Sequence, residues 1–583
     1  MNINEIHSPA DLKNLSIGQL SEVAAQLREA LIEKLVVHGG HVGPNLGVVE
    51  ATVALHYVFD APNDKLVFDV SHQSYVHKML TGRIEAFTDP AKFNDVSGYT
   101  DPKESPEYDL FSMGHTSSSI SLACGLARAR DLSGGNENVV AFIGDASLGG
   151  GEALEGLDNG GTLRSNFIVV VNDNQMSIAE NHGALYKHLT ELRESEGRSS
   201  NNIFRNFGYD YIYVDRGNDM AALIDAFQSV KDSKRPVVVH INTLKGKGLP
   251  VAVEHKEAFH WHVPFDRVTG QVSRPQGPSY FSLFAEHLLR LMKENPRVAL
   301  LTAGTPSAIG FVPELRAEAG DRFIDVGICE QDAVATAAGM ARGGMRPVFG
   351  VMATFVQRAY DQISQEVAIN QLPVVIVTFN GGAFGIPDET HLGWFDVPMI
   401  SNIPGVLMLA PTSPKEFINM IDWAIGQTER PVVVRCPTFP FDVPDEPWPA
   451  DFDPDKYVVT HRGERVALIG EGGFYHRAVD AAAILRGKGL NPTVIKPIIL
   501  SGVDAETLDT LRGYDLVMTF DDSSIDGSMG QKIAAYLSKY PVRVVCKGLP
   551  KEFLNDYSAP ELMKQLGLEP TQIADEVLSI LTR

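Results

Sequence analysis

An apolar run, Val139-Val140-Ala141-Phe142-Ile143, ends in Gly144-Asp145. A small-residue helical stretch from Gly151 to Leu157 follows, and then a second apolar run, Phe167 to Val171, which ends in Asn172-Asp173-Asn174. Strand, helix and strand in succession predict a parallel pair with a right-handed crossover. Both strands then end at the same edge of the sheet. Asp145 and Asn174 stand just past those ends, an anionic and a neutral oxygen donor where open α/β sheets bind ligands. That donor set suits Mg²⁺, which takes few protein oxygens and leaves positions for substrate phosphates. Gly149, Gly150 and Gly151 let backbone approach closely at a helix start, a place that binds anions. An ordinary βαβ unit with polar loop ends would read the same way.

With 583 residues the chain is long enough for three or four domains. Charged residues make up 21% and hydrophobic ones 44%, the balance of a soluble globular protein. A net charge of −23 argues against non-specific nucleic-acid binding, although a local site can still be basic. Cys124, Cys329, Cys436 and Cys546 are scattered without pair spacing, which points to reduced thiols rather than a disulfide frame or a zinc site. Met1 to Leu20 lacks the basic and apolar regions of a signal peptide, and no apolar run reaches membrane-spanning length. A cytoplasmic protein without membrane or nucleic-acid partners is expected.

Three α/β blocks follow one another, an architecture of consecutive doubly wound domains. The first, 1–270, holds an amphipathic helix from Ile17 to Val37, the two strands above and a third at Pro236 to Ile241. A Pro/Gly/Ser-rich stretch from Val272 to Ser279 reads as a linker. The second, 280–445, carries strands at Val298 to Thr302, Pro347 to Val351, Pro373 to Phe379 and Pro431 to Arg435. A proline cluster between Pro437 and Pro454 marks the next boundary. The third, 459–583, opens with strand Arg465 to Ile469, helix Tyr475 to Lys488 and strand Pro492 to Ile495.

Two further segments carry chemistry. Glu330 lies after a strand end and before the Ala-rich stretch Ala333 to Ala341, where its carboxylate either meets a ligand or complements a helix dipole. In Ala353 to Gln362, Phe355 suits stacking on an aromatic ring and Arg358 an anionic group; a core phenylalanine beside a surface ion pair is the simpler alternative.

The Gly144-Asp145 to Asn174 unit resembles the metal-diphosphate motif of thiamine-diphosphate enzymes. The chain as a whole is similar to the 1-deoxy-D-xylulose-5-phosphate synthase family, relatives of transketolase. The carriers are Gly39-Gly40-His41, Ala54 to Phe59, Asp69 to Lys78, Met113 to Ser121, Asn172 to Ile178, Thr354 to Gln362 and Thr390-His391. The resemblance implies two thiamine-diphosphate-binding domains and a C-terminal transketolase-like domain, in a homodimer. It implies thiamine diphosphate and Mg²⁺ as cofactors, pyruvate and an aldehyde as substrates, and a place in isoprenoid or thiamine biosynthesis. Carried onto this chain, Asp145, Asn174 and the Met176 carbonyl would hold Mg²⁺. Gly114, His115 and Thr116, with Ala146 and Ser147, would meet the diphosphate, and Ile178 would keep the cofactor bent. Glu330 would activate it and Phe355 would stack on its pyrimidine. His41, His72, His260 and His391 would line the reaction pocket, His72 also touching the cofactor, with Arg358 towards the acceptor. His262 is close enough to His260 to compete for the inward place. The implied reaction decarboxylates pyruvate and condenses the resulting enamine with an aldehyde, classically D-glyceraldehyde 3-phosphate.

The chain departs from the family where the acceptor binds more than where the cofactor does. Family Gly-Asp-Gly is Gly144-Asp145-Ala146, tolerable if Ala146 has negative φ. Family Glu-Gln-His is Glu330-Gln331-Asp332. Two positions of phosphate-binding arginines are Asn380 and Thr438, and neither can replace a guanidinium. The active-site aspartate position is Pro387, with Asp388 displaced by one; a tyrosine-like position is Met352; the segment from Leu189 to Phe207 is short. The alternatives are an acceptor other than glyceraldehyde 3-phosphate, a transketolase-type ketol transferase, or a catalytically silent paralogue with a binding role. Gly470-Glu471-Gly472-Gly473 resembles a dinucleotide-binding turn only loosely and reads as a tight structural turn.

Overall fold

A computed structural model describes residues 2–272, 277–443, 448 and 452–582. Half of the expected linker at Val272 to Ser279 and part of the proline cluster lie outside the described residues. The chain divides into two compact units, Met1–Gln276 with Gly327–Cys329, and Gly277–Val326 with Glu330–Arg583. The expected blocks 280–445 and 459–583 both fall in the second unit. No helix among the described residues is long and apolar enough to cross a membrane.

The first unit is built on a parallel sheet of five strands: β1 (Lys65–Phe68), β2 (Val139–Gly144), β3 (Phe167–Asp173), β4 (Asp210–Val214) and β5 (Pro236–Asn242), in the order β1-β2-β3-β5-β4. β3 is buried along its whole length, as its continuous apolar sequence requires of a strand covered on both faces. β2 and β3 pair in parallel with Gly144 opposite Asn172, so the predicted crossover and common edge are present. The helix Ile17–His38 packs Leu20, Val23, Leu27, Leu31 and Leu35 into the core. Ser16 and Gln19 form a capping box at its start. It stops at Gly39 (φ 82°), where a Cβ would lie 2.5 Å from the His262 carbonyl. That absence of a side chain lets Gly40 and His262 exchange backbone hydrogen bonds of 2.8 and 2.9 Å.

The second unit carries two sheets. One is parallel, with β6 (Val298–Thr302), β7 (Phe323–Asp325), β8 (Arg346–Met352), β9 (Val375–Phe379), β10 (Leu407–Leu409) and β11 (Val432–Arg435) in the order β10-β11-β9-β8-β6-β7. The other has β12 (Val458–His461), β13 (Val466–Gly470), β14 (Thr493–Lys496), β15 (Leu516–Ser524) and β16 (Arg543–Leu549) in the order β12-β14-β13-β15-β16. Only β12 runs antiparallel. The α/β reading stands in all three sheets, and most strand limits fall within two residues of those expected. The expectation missed the helical turn Asp145–Leu148, too short to show a period. Ala146 sits inside that turn and is not among the residues with positive φ, so the condition for tolerating it in place of glycine is met.

Candidate active site

In the first unit, parallel pairing of β2 and β3 brings Asp145 beside Asp173 at the carboxyl edge of the sheet. Asp145 is buried, and burial together with the Asp173 charge pushes its carboxyl well above the usual range. Burial works against ionisation of Asp173 as well, but hydrogen bonds and charge from His240 and Arg193 hold its carboxyl low. A cation bound at Asp145 would favour its ionised form. Asn174 is buried next to it, its Oδ1 accepting from Met176 N at 3.2 Å. Ile178 is half-buried on the same loop.

Gly114, His115 and Thr116 lead into a loop anchored by Asp69, which belongs to one of the runs that carry the family resemblance but was given no role by it. Asp69 accepts from Ser117 N at 2.8 Å and Ser119 N at 3.0 Å. Ser117 (φ 73°) donates its hydroxyl to the Ser147 carbonyl at 2.8 Å, which ties this loop to the Asp145–Leu148 turn. The diphosphate-binding residues expected from sequence, Gly114 to Thr116 and Ala146 to Ser147, therefore lie on two segments joined to each other.

Three histidines gather in the same unit. His41 and His72 have ring centroids 5.2 Å apart, His72 and His260 5.4 Å, and His41 and His260 5.9 Å, with Tyr99 5.6 Å from His41. His262 instead stacks on Phe259 at 4.6 Å, which settles the inward place in favour of His260. Asn45 ties the cluster together, its Nδ2 donating to the His41 and His72 carbonyls at 2.8 and 2.7 Å. Val70 (φ 57°) and Ser71 (φ 64°) precede His72 in left-handed backbone, unusual for a β-branched residue and the kind of strain that functional sites store. Ser71 is held by its hydroxyl to Met113 O and by Thr100 N.

Burial, then the charge of Lys245 and the neighbouring imidazoles, pushes His260 far below its ordinary range, so its ring is neutral. Lys245 is 1% exposed, and burial lowers its ammonium to about 7. Its Nζ donates to Ser177 O at 2.7 Å and lies 3.2 Å from His260 Nδ1. Sequence reasoning missed Lys245 and Asn45. Lys245 sits in Leu244-Lys245-Gly246-Lys247-Gly248, which looks like any solvated basic loop, and only tertiary packing buries it.

In the second unit, Glu330 is the first residue of the helix Glu330–Arg342 and is 3% exposed. Burial raises its carboxyl, partly opposed by the charge of Arg358. A glutamate serving only the helix dipole would be expected in solvent. Phe355, half-buried, meets the buried ring of His391 edge-on at 5.6 Å. Thr390 Oγ1 lies 2.8 Å from His391 Nδ1, and Asp388 is within 3.7 Å of the same nitrogen. Burial opposes ionisation of Asp388, yet hydrogen bonds from His391 and Thr390 keep its carboxyl low. The displaced aspartate thus still reaches the histidine.

The altered positions hold no free cation. Asn380 (φ 56°) lies in a tight loop where a Cβ on Gly393 would meet its carbonyl at 2.1 Å, and Thr438 Oγ1 donates to Gly381 O at 3.0 Å. The arginine on β11, Arg435, gives Nε and Nη2 to Asp396 at 2.8 and 3.1 Å and a further hydrogen bond to Asp522 O at 2.8 Å. A Cβ on Gly470 would lie 2.6 Å from Phe474 O, so the turn into the following helix is a tight one.

Comparison with known proteins covers nearly the whole chain. A family model described as 1-deoxy-D-xylulose-5-phosphate synthase matches residues 3–200. The transketolase pyrimidine-binding domain matches 276–438 and the transketolase C-terminal domain 455–573. A 1-deoxy-D-xylulose-5-phosphate synthase of Symbiobacterium thermophilum is 37% identical, aligned over 100% of this chain and 95% of its own length. Those of Caldanaerobacter subterraneus subsp. tengcongensis (36%; 99% and 98%) and Shouchella clausii (37%; 100% and 99%) are comparable.

Proposed function

Because the chain belongs to the 1-deoxy-D-xylulose-5-phosphate synthase family, thiamine-diphosphate-dependent transferases of the transketolase class, we propose that the two clusters described above serve decarboxylation of pyruvate and transfer of its remaining two carbons to an aldehyde. The observation that carries this reading is full-length kinship, joined by the buried carboxyls of Glu330 and Asp145, both raised by burial. Thiamine diphosphate, when bound, supplies the electron sink for loss of the carboxyl group and for carbon–carbon bond formation.

The chain's own residues do the rest. Asp145, Asn174 and the Met176 carbonyl hold Mg²⁺, an oxygen set of the kind that ion accepts. Gly114 to Thr116, with Ala146 and Ser147, receive the diphosphate; Ile178 and Phe355 hold the organic rings. Glu330 holds a proton at its carboxyl for the pyrimidine. The neutral His260 has its Nδ1 occupied by Lys245, which leaves Nε2 to move a proton for substrate. His41 and His72 share that work in the first unit; in the second, His391 serves beside Phe355 and Arg358 orients an anionic group. The homodimer and the cytoplasmic location belong to the same proposal; none of the four cysteines forms a disulfide among the described residues.

Asp69 gives a direct test of the diphosphate loop. Asp69→Ala leaves the Ser117 and Ser119 amides buried without an acceptor, at a cost of about 1–3 kcal/mol. Thiamine diphosphate affinity, measured by calorimetric titration, is expected to fall roughly tenfold or more. An unchanged affinity would mean that the loop is held in some other way.

The acceptor divides two readings. Full-length kinship favours D-glyceraldehyde 3-phosphate. Asn380 and Thr438, with Arg435 already committed to Asp396, favour an aldehyde that lacks the phosphate. Carbon dioxide release from labelled pyruvate, with thiamine diphosphate and Mg²⁺, distinguishes them. Strong stimulation by glyceraldehyde 3-phosphate, with a five-carbon deoxyketose phosphate as product, supports the first. Stimulation by unphosphorylated glyceraldehyde or glycolaldehyde but not by the phosphate supports the second. Cofactor binding without release from any keto acid would mean a silent binding protein.

A further inference from the structure

Asp145 has a partner outside the oxygen-donor set. After β3 the chain turns at Gln175 (φ 66°) and folds back on itself, with Met176 and Glu180 in an antiparallel bridge and Ser177 N donating to Ala179 O at 2.9 Å. This return lays Asn181 against the Asp145 turn. Asn181 Nδ2 donates to Asp145 Oδ2 at 2.8 Å, and Tyr186 OH donates to the neighbouring Ala146 carbonyl at 3.1 Å. The other amide atom, Asn181 Oδ1, is buried and has no hydrogen-bond partner among the described residues. With Asp145 ionised, as a bound cation would hold it, the reverse amide orientation would set an oxygen against the carboxylate, so the orphan is the carbonyl end.

An orphaned buried acceptor beside a carboxylate is unfavourable unless a donor comes to it. A hard divalent cation bound by one or two carboxylates keeps several waters, each a strong donor. We infer that Asn181 is a positioning residue of the cation site: its Nδ2 occupies Asp145 Oδ2 and so orients the carboxylate, and its Oδ1 accepts from a cation-bound water. The inference rests on the proposed cation reading of Asp145, and it adds a residue outside the direct ligands. Outer-shell partners of this kind commonly change metal affinity by about 10- to 100-fold.

The competing explanation is a clamp that only fastens the loop, and melting separates the two. Mn²⁺ affinity of the full chain is measured by electron paramagnetic resonance in saturating thiamine diphosphate, for wild type and Asn181→Ala. Melting is followed without metal or cofactor. The expected result is a roughly tenfold or greater loss of Mn²⁺ affinity with metal-free melting unchanged. Equal Mn²⁺ affinity in the two proteins overturns the inference. So does a variant that melts much earlier or fails to fold, since the residue is then a clamp. Wild type that binds no Mn²⁺ overturns the cation reading itself, and that failure is visible without the variant.

Discussion

Glu330→Gln is expected to lower pyruvate-dependent carbon dioxide release by about two orders of magnitude or more, with thiamine diphosphate still bound. The substitution preserves size and most hydrogen-bonding capacity, so it isolates the ionisable proton. Glu330 is buried at the start of a helix, and burial raises its carboxyl while Arg358 draws it back. A carboxyl raised in this way holds a proton more readily and can still surrender it, which an amide cannot do. Proton transfer by a positioned side chain contributes about 10²- to 10⁴-fold to enzymatic rates. Release of carbon dioxide, cofactor titration and melting should be measured on the same preparation. A loss below tenfold would remove Glu330 from the proton transfer. Loss of cofactor binding together with activity would instead assign it a binding role.

Glu471→Gln is expected to raise the melting temperature at about pH 7.5 and to flatten its dependence on pH. Glu471 follows β13 in the second unit, fully buried, and neither of its carboxyl oxygens has a hydrogen-bond partner among the described residues. It faces Asp521 and Asp522 on β15, with Asp396 nearby and Arg435 as the nearest cation. Lys532 and Arg477 contribute weaker attraction to Asp521 and Asp522. Burial, then the charges of Asp521 and Asp522, pushes Glu471 well above its ordinary value despite Arg435. Burial also raises Asp521 and Asp522 to about 6 each.

Carboxyls raised in the folded state contribute stability that is complete below their unfolded values, about pH 4, and is lost as pH rises through the folded values. For Asp521 and Asp522 that loss runs from about pH 4 to about 6, and for Glu471 it extends higher. Removing one member of the cluster should therefore return stability at neutral pH. Thermal unfolding of wild type and variant across this range checks it. An earlier melting variant at neutral pH would show that Glu471 is ionised and that its attraction to Arg435 outweighs the repulsion.

The cofactor half was legible because its chemistry is local in sequence. Asp145 and Asn174 flank two strands whose parallel pairing follows from their order, and the structure pairs those strands as expected. His41, His72 and His260 are far apart in the chain, and only motif resemblance united them before the fold did so. The choice between His260 and His262 had no sequence signal, because it depends on which ring stacks against Phe259. Lys245 and Asn181 look like ordinary loop residues until burial gives one a lowered ammonium and the other an orphaned carbonyl.

By itself the sequence determined the α/β class, the strand order that leads to Asp145 and Asn174, and the family, because apolar runs, turn residues and short motifs are properties of neighbours along the chain. The tertiary structure alone decided which polar side chains lose water, and therefore which carboxyls, imidazoles and amines hold or release protons. Desolvation and charge coupling act through space, and Glu471 beside Asp521, some fifty residues later, is invisible to any local reading.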